Sequence, residues 1–126
     1  MTTNSDIRLT KPGGSVRQPA VAGLFYPRDR AELGRMVAEM LEGAAGRVSP
    51  PKALIAPHAG YIYSGPVAAN AYASLRPSRK TLRRVVLLGP AHRVYLRGMA
   101  LPRADRFATP LGEIPVDKEL EARASA

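Results

Sequence analysis

The chain contains two histidines, and both occupy the same setting. His58 follows Pro57 at the end of the apolar run Ala53-Leu54-Ile55-Ala56, and His92 follows Gly89-Pro90-Ala91 at the end of Val85-Val86-Leu87-Leu88. An imidazole at a strand end is either a hydrogen-bonded structural group or a ligand. For a lone histidine the structural reading is the usual one. Two in matched strand-Pro-His settings, with none elsewhere, put the ligand reading beside it. Neighbouring parallel strands lie about 4.8 Å apart, so two neutral rings rooted beyond their ends can meet at one metal ion, at nitrogen–metal distances near 2.1 Å. No Asp or Glu stands close to either histidine in sequence. Further ligands must come from distant chain or from another molecule.

The residues after His58 suit a binding pocket. Gly60 permits tight turning or close backbone approach to a bound group. Tyr61 and Ser64 offer hydroxyls, and a helix opening near Gly65 would favour an anion at its N-terminus. Tyr63 reads as an ordinary residue packed on the sheet, and Thr109 as the start of a turn. No catalytic residue is assigned.

These groups need a frame. Asp29, with Glu32 three residues on, reads as a capping box. Leu33, Met36, Val37, Met40 and Leu41 then fall on one helical stripe that Gly43 stops. Residues 52–56 read as a short buried strand. A second helix opens at Gly65-Pro66 and runs to about Leu75, apolar nearly all round. Residues 85–88 read as a second buried strand, continuously apolar as parallel strands are. Strand, helix and strand predict a right-handed parallel unit. Residues 98–101 and 113–116 are expected to add strands around the turn Thr109-Pro110-Leu111-Gly112, and a last helix is expected from its cap Asp117. The expected fold is α/β, with a mostly parallel central sheet flanked by helices.

At 126 residues and 45% hydrophobic content the chain is one domain's worth and can bury a core. It lacks the apolar run of a membrane span or a secretory signal, so a soluble cytoplasmic protein is expected. Without cysteine it has no disulfide and no thiolate ligand. Of the net charge of +9, residues 76–106 carry nine Arg and Lys against Asp105 alone. Only Tyr95 interleaves with that cluster, so stacking platforms for single strands are missing. Fifteen of the 19 basic residues are Arg in a chain rich in Ala, Gly and Pro, which reads as coding bias. Nucleic acid and membrane are not expected partners.

Four motifs in chain order resemble the Memo family, whose bacterial and archaeal members are often labelled AmmeMemoRadiSam system protein B. They are Arg17 with Ala20-Val21-Ala22-Gly23-Leu24-Phe25-Tyr26-Pro27; Pro57-His58-Ala59-Gly60-Tyr61 with Ser64-Gly65; Leu88-Gly89-Pro90-Ala91-His92; and Thr109-Pro110-Leu111-Gly112 with Val116-Asp117. The resemblance implies a fold related to class III non-haem extradiol dioxygenases, around a metal pocket. It implies that His58 and His92 correspond to two metal-site histidines, with iron or copper as the metal. Family members are much longer, and an acidic residue, a histidine and a cysteine of their site lie in a C-terminal half. The organisation expected is therefore a flexible arm over residues 1–16 and a Memo-like domain over residues 17–126 that is C-terminally incomplete.

Two functions compete. A histidine pair with a carboxylate and open positions suits Fe(II) and oxygen chemistry, giving a metal-pocket redox protein. The alternative is a non-catalytic module that keeps the pocket for a peptide or small anion. Hydrolysis by a metal-activated water is a third possibility. The expected partners are a small molecule or peptide, and a second copy of the chain. The substrate is not written in the sequence.

Overall fold

The computed structural model describes residues 14–45 and 49–124. The first helix, α1, runs Arg30–Glu42 and ends at Gly43. The Asp29 carboxylate accepts from the Glu32 N–H at 2.8 Å, which satisfies one of the donors that a helix start leaves without a partner. Leu33 is 3% exposed, while Met36, Val37, Met40 and Leu41 of the same stripe are half-buried.

Helix α2 runs Tyr61–Ala73, more than a turn earlier than Gly65-Pro66 suggested. Its first turn is held from outside. The Tyr61 N–H donates to the Phe25 carbonyl at 2.8 Å, and the Ser64 hydroxyl donates to the Ala59 carbonyl at 3.1 Å. With that turn anchored, Pro66 is tolerated inside the helix although it removes one helical N–H. Asn70 links the two helices, its side-chain oxygen accepting from the Ala45 N–H at 3.0 Å. Arg76, in the 3₁₀ turn Arg76–Ser78, donates to the Leu41 carbonyl at the end of α1.

The helices cross closely at Gly65. A Cβ there would fall 2.5 Å from the Met40 Sδ and 2.8 Å from its Cε. Those atoms are the flexible end of Met40, so Gly65→Ala is expected to be accommodated by a swing of the thioether. Gly65→Val adds branched methyls that the crossing cannot take, an overpacking worth about 1–3 kcal/mol. Far-UV circular dichroism should show helical signal retained in the first variant and reduced in the second. Equal signals would mean that the crossing is looser than this.

The sheet has three strands in the order β1-β2-β3. Strand β1 (Val16–Arg17) pairs in parallel with β2 (Arg106–Thr109), and β2 pairs antiparallel with β3 (Gly112–Pro115). The β2–β3 turn is closed by Thr109, whose hydroxyl donates to the Gly112 carbonyl at 2.9 Å and accepts from the Leu111 N–H at 3.2 Å. Asp105 ties β1 in place by accepting from the Ser15 N–H at 2.6 Å. That backbone hydrogen bond, with the Ser15 hydroxyl and then the Lys118 charge, holds its carboxyl below the usual range. Helix α3 (Lys118–Ala124) starts on the Asp117 cap, which accepts from the Leu120 N–H at 3.1 Å. Arg84 pairs with Asp117 at 2.7 Å.

Several expectations are corrected here. The sheet is mixed, with one parallel and one antiparallel pair, and is not mostly parallel. Residues 53–56 and 85–88 join no ladder among the described residues, so the expected strand-helix-strand unit is absent. Ile55 is 101% exposed and Leu87 85%. Hydrophobicity marks these runs for burial, but a strand exists only where a second backbone takes its N–H and C=O groups. Residues 98–101 also form no strand, and β2 was not anticipated. Its sequence, RFAT, has too little alternation to announce a strand. Its neighbours on both sides make it one. Of the expected arm, residues 1–13 lie outside the described residues, and Ser15 and Val16 are bonded at the start of the sheet.

Candidate metal centre

His58 is placed by the turn that precedes α1. Within it the Leu24 N–H donates to the Val21 carbonyl at 3.0 Å and the Gly23 N–H to the Tyr26 carbonyl at 2.7 Å. Gly23 has φ 84, the left-handed backbone that a type II turn requires at this position. The turn carries the Phe25 carbonyl to the start of α2, where it takes the Tyr61 N–H. With Ala59 bonded to Ser64 as well, the loop under His58 is tied on its C-terminal side. His92 stands on a long exposed stretch. Among the described residues, its contact at hydrogen-bond distance is with His58.

The two rings meet. His58 Nε2 and His92 Nε2 are 3.0 Å apart, with ring centroids 5.2 Å apart and planes inclined by 37°. Without a metal, one ring must donate its Nε2–H to the bare Nε2 of the other, since two Nε2–H groups cannot face each other. An ion about 2.1 Å from each nitrogen spans such a gap as two neighbouring ligand positions. The donors therefore fit one divalent metal. Among the described residues no group of three His, Cys, Asp or Glu side chains could hold an ion.

A cavity of about 540 Å³ opens beside His58, lined among others by Phe25, Tyr26, Met40, Tyr61 and Tyr72. Ser64 also lines it, and His92 does not. Gly60 is the residue that caps α2. Tyr63 is 80% exposed and packs on no sheet. Sequence reasoning passed over Phe25, Tyr26 and Tyr72 as lining residues. The signal for the first two was present in a glycine followed by Leu24-Phe25-Tyr26-Pro27, a turn that presents aromatics. Tyr72 was hidden in a helix apolar on every side.

Tyr26 and Tyr61 lie with ring centroids 5.4 Å apart. Burial raises the Tyr61 phenol above its ordinary value of 10.0, and the neighbouring Tyr26 and Tyr72 raise it further. The folded value thus exceeds the unfolded one. The neutral phenol's contribution to stability is fully present below pH 10.0 and is lost as pH rises through the folded value. In an absorbance titration of the tyrosinate band, Tyr61→Phe should remove the last-titrating phenol. Loss of an early-titrating one would show that Tyr61 is not the sheltered ring.

The chain matches the family model described as Memo-like protein over residues 17–125. It is 39% identical over 108 residues to a MEMO1 family protein of Aquifex aeolicus, covering 86% of this chain and 39% of that protein. It is 37% identical to a protein memo-1 homolog of Caenorhabditis elegans, covering 86% of this chain and 30% of the relative. Against a MEMO1 family protein of Methanosarcina acetivorans it is 46% identical over 105 residues, or 83% of this chain and 38% of the relative. The chain thus spans well under half the length of these curated relatives. No helix among the described residues is long and apolar enough to cross a membrane.

Proposed function

The chain belongs to the Memo-like family, and from that premise we propose that it contributes a histidine pair to a metal pocket of redox type. The observation that carries this reading is the 3.0 Å approach of two Nε2 atoms that stand 34 residues apart in sequence. His58 and His92 would hold the ion. A bound iron or copper would supply one-electron chemistry, as in the extradiol dioxygenases whose fold the family resembles. The chain's own part is to fix the two imidazoles, to wall one side of the site with the cavity beside His58, and to keep the Tyr61 phenol protonated as a hydrogen-bond donor.

Titration with Cu(II) followed by electron paramagnetic resonance tests the reading. Superhyperfine splitting from two equivalent imidazole nitrogens is expected at one equivalent of metal. A spectrum of aqueous or single-nitrogen copper would sink it. A non-catalytic module is the second reading, favoured by the mainly aromatic and aliphatic cavity beside His58. Saturable peptide binding with no oxygen uptake on any diol by the metal-loaded protein would choose that reading.

A further inference from the structure

A second cavity, of about 290 Å³, lies where the end of β1, the turn before α1 and the end of β2 come together. It is lined by Gln18, Pro19, Ala22, Arg28, Ala108 and Pro110, with Thr109 beside them. It shares no lining residue with the cavity beside His58. Arg28 is the one charged residue of this lining among the described residues. The turn places its guanidinium. Nη2 donates to the Ala22 carbonyl at 3.4 Å, and the group lies along Gly23, where a Cβ would stand 3.4 Å from Nε and 3.6 Å from Nη2. A guanidinium offers several N–H donors in a fixed fork. Among the described residues that carbonyl is the acceptor Arg28 has, and it has no acidic partner. The Gln18 carboxamide makes no hydrogen bond among the described residues. The Thr109 hydroxyl, by contrast, is occupied in closing the β2–β3 turn.

We infer that this cavity binds a small aliphatic monocarboxylate. Arg28 and the Gln18 amide hold the carboxylate, and the carbon chain lies against Pro19, Ala22, Ala108 and Pro110. Charge selects the head group. One guanidinium balances one negative charge, and its planar fork matches the two oxygens of a carboxylate. A phosphate dianion would keep a charge unbalanced against an apolar wall. The prolines and alanines select an apolar body, and a volume at the low end for small-molecule pockets keeps that body short. The nearby acids do not compete for Arg28. Asp29 accepts from the Glu32 N–H at 2.8 Å, and Glu113, the register partner of Ala108, pairs with Arg106 at 2.9 Å. A purely structural Arg28 would account for the bond to Ala22. It would not account for a concave apolar wall that meets both a guanidinium and a carboxamide with donors to spare. The site stands apart from the histidine pair and does not rest on the metal reading.

Butyrate, titrated into the full chain and followed by saturation-transfer difference NMR, is the probe. Saturable binding in the millimolar range is expected, as one exposed guanidinium–carboxylate pair allows. Butyramide, which keeps the shape and loses the charge, should give no saturable signal. Arg28→Gln should weaken butyrate binding by at least about tenfold. Arg97→Gln removes the same charge from an exposed position outside the cavity and should leave binding unchanged. Arg28 is exposed, so the circular dichroism of its variant should match the parent. Should that variant not fold, Arg28→Lys keeps the charge, loses the fork and should still weaken binding. Parent-like binding by the Arg28 variants would overturn the inference. So would an equal loss in Arg97→Gln, which would mean diffuse attraction to a basic chain, or saturable binding of butyramide. Inorganic phosphate displacing butyrate at equal or lower concentration would overturn the assignment to a monocarboxylate.

Discussion

Alanine in place of either His58 or His92 is expected to weaken Cu(II) or Fe(II) binding by at least about tenfold, or 1.4 kcal/mol. The pair has two nitrogens at 3.0 Å and no third His, Cys, Asp or Glu grouped with them among the described residues. With one ring gone, a single imidazole and water remain, so nothing compensates. Both rings are exposed and neither fills the core, so helical content should stay the same in both variants. Calorimetric titration of the parent and both variants at one fixed pH gives the comparison. Parent-like binding by both variants would make the pair structural. If only one variant loses binding, the ion sits elsewhere and the other ring is better placed for proton transfer.

The isolated chain is expected to lack a sharp cooperative melt and to bind hydrophobic dyes while folded. Among the described residues the buried apolar side chains are Leu33 and the alanines Ala22, Ala69, Ala73 and Ala104. Alanines remove little area from water, so the favourable term that must exceed chain entropy is small. Differential scanning calorimetry should give a broad, low transition, and the dye fluorescence typical of loosely packed states should be high. A sharp reversible two-state transition of a monomer would contradict this.

Local rules carried well where a few neighbouring residues decide the outcome. The Asp29 cap, the Leu33 stripe and the Gly43 stop lie within one helix, and each acts through neighbours within about a turn of chain; α1 formed where they point. The Asp117 cap behaved likewise. Thr109 closes its turn with its own hydroxyl. The matched settings of His58 and His92 singled out the two residues that meet. Their convergence did not come from the expected ladder, since the runs beneath them pair with nothing described.

What only the tertiary structure decided were matters of partnership. An apolar run states that burial is favourable and is silent on which backbone will share its hydrogen bonds. Ile55 and Val85 to Leu88 are therefore as hydrophobic as any core strand and yet exposed, while RFAT became a strand because Val16–Arg17 and Gly112–Pro115 lie on either side of it. The start of α2 was set by a carbonyl at Phe25, far from it in sequence. The sequence determined which residues could form a centre and how α1 and α3 are capped at their starts. The tertiary structure decided which groups meet, because a hydrogen bond or a ligand pair is a property of two positions, and the distance between them is not encoded by either one.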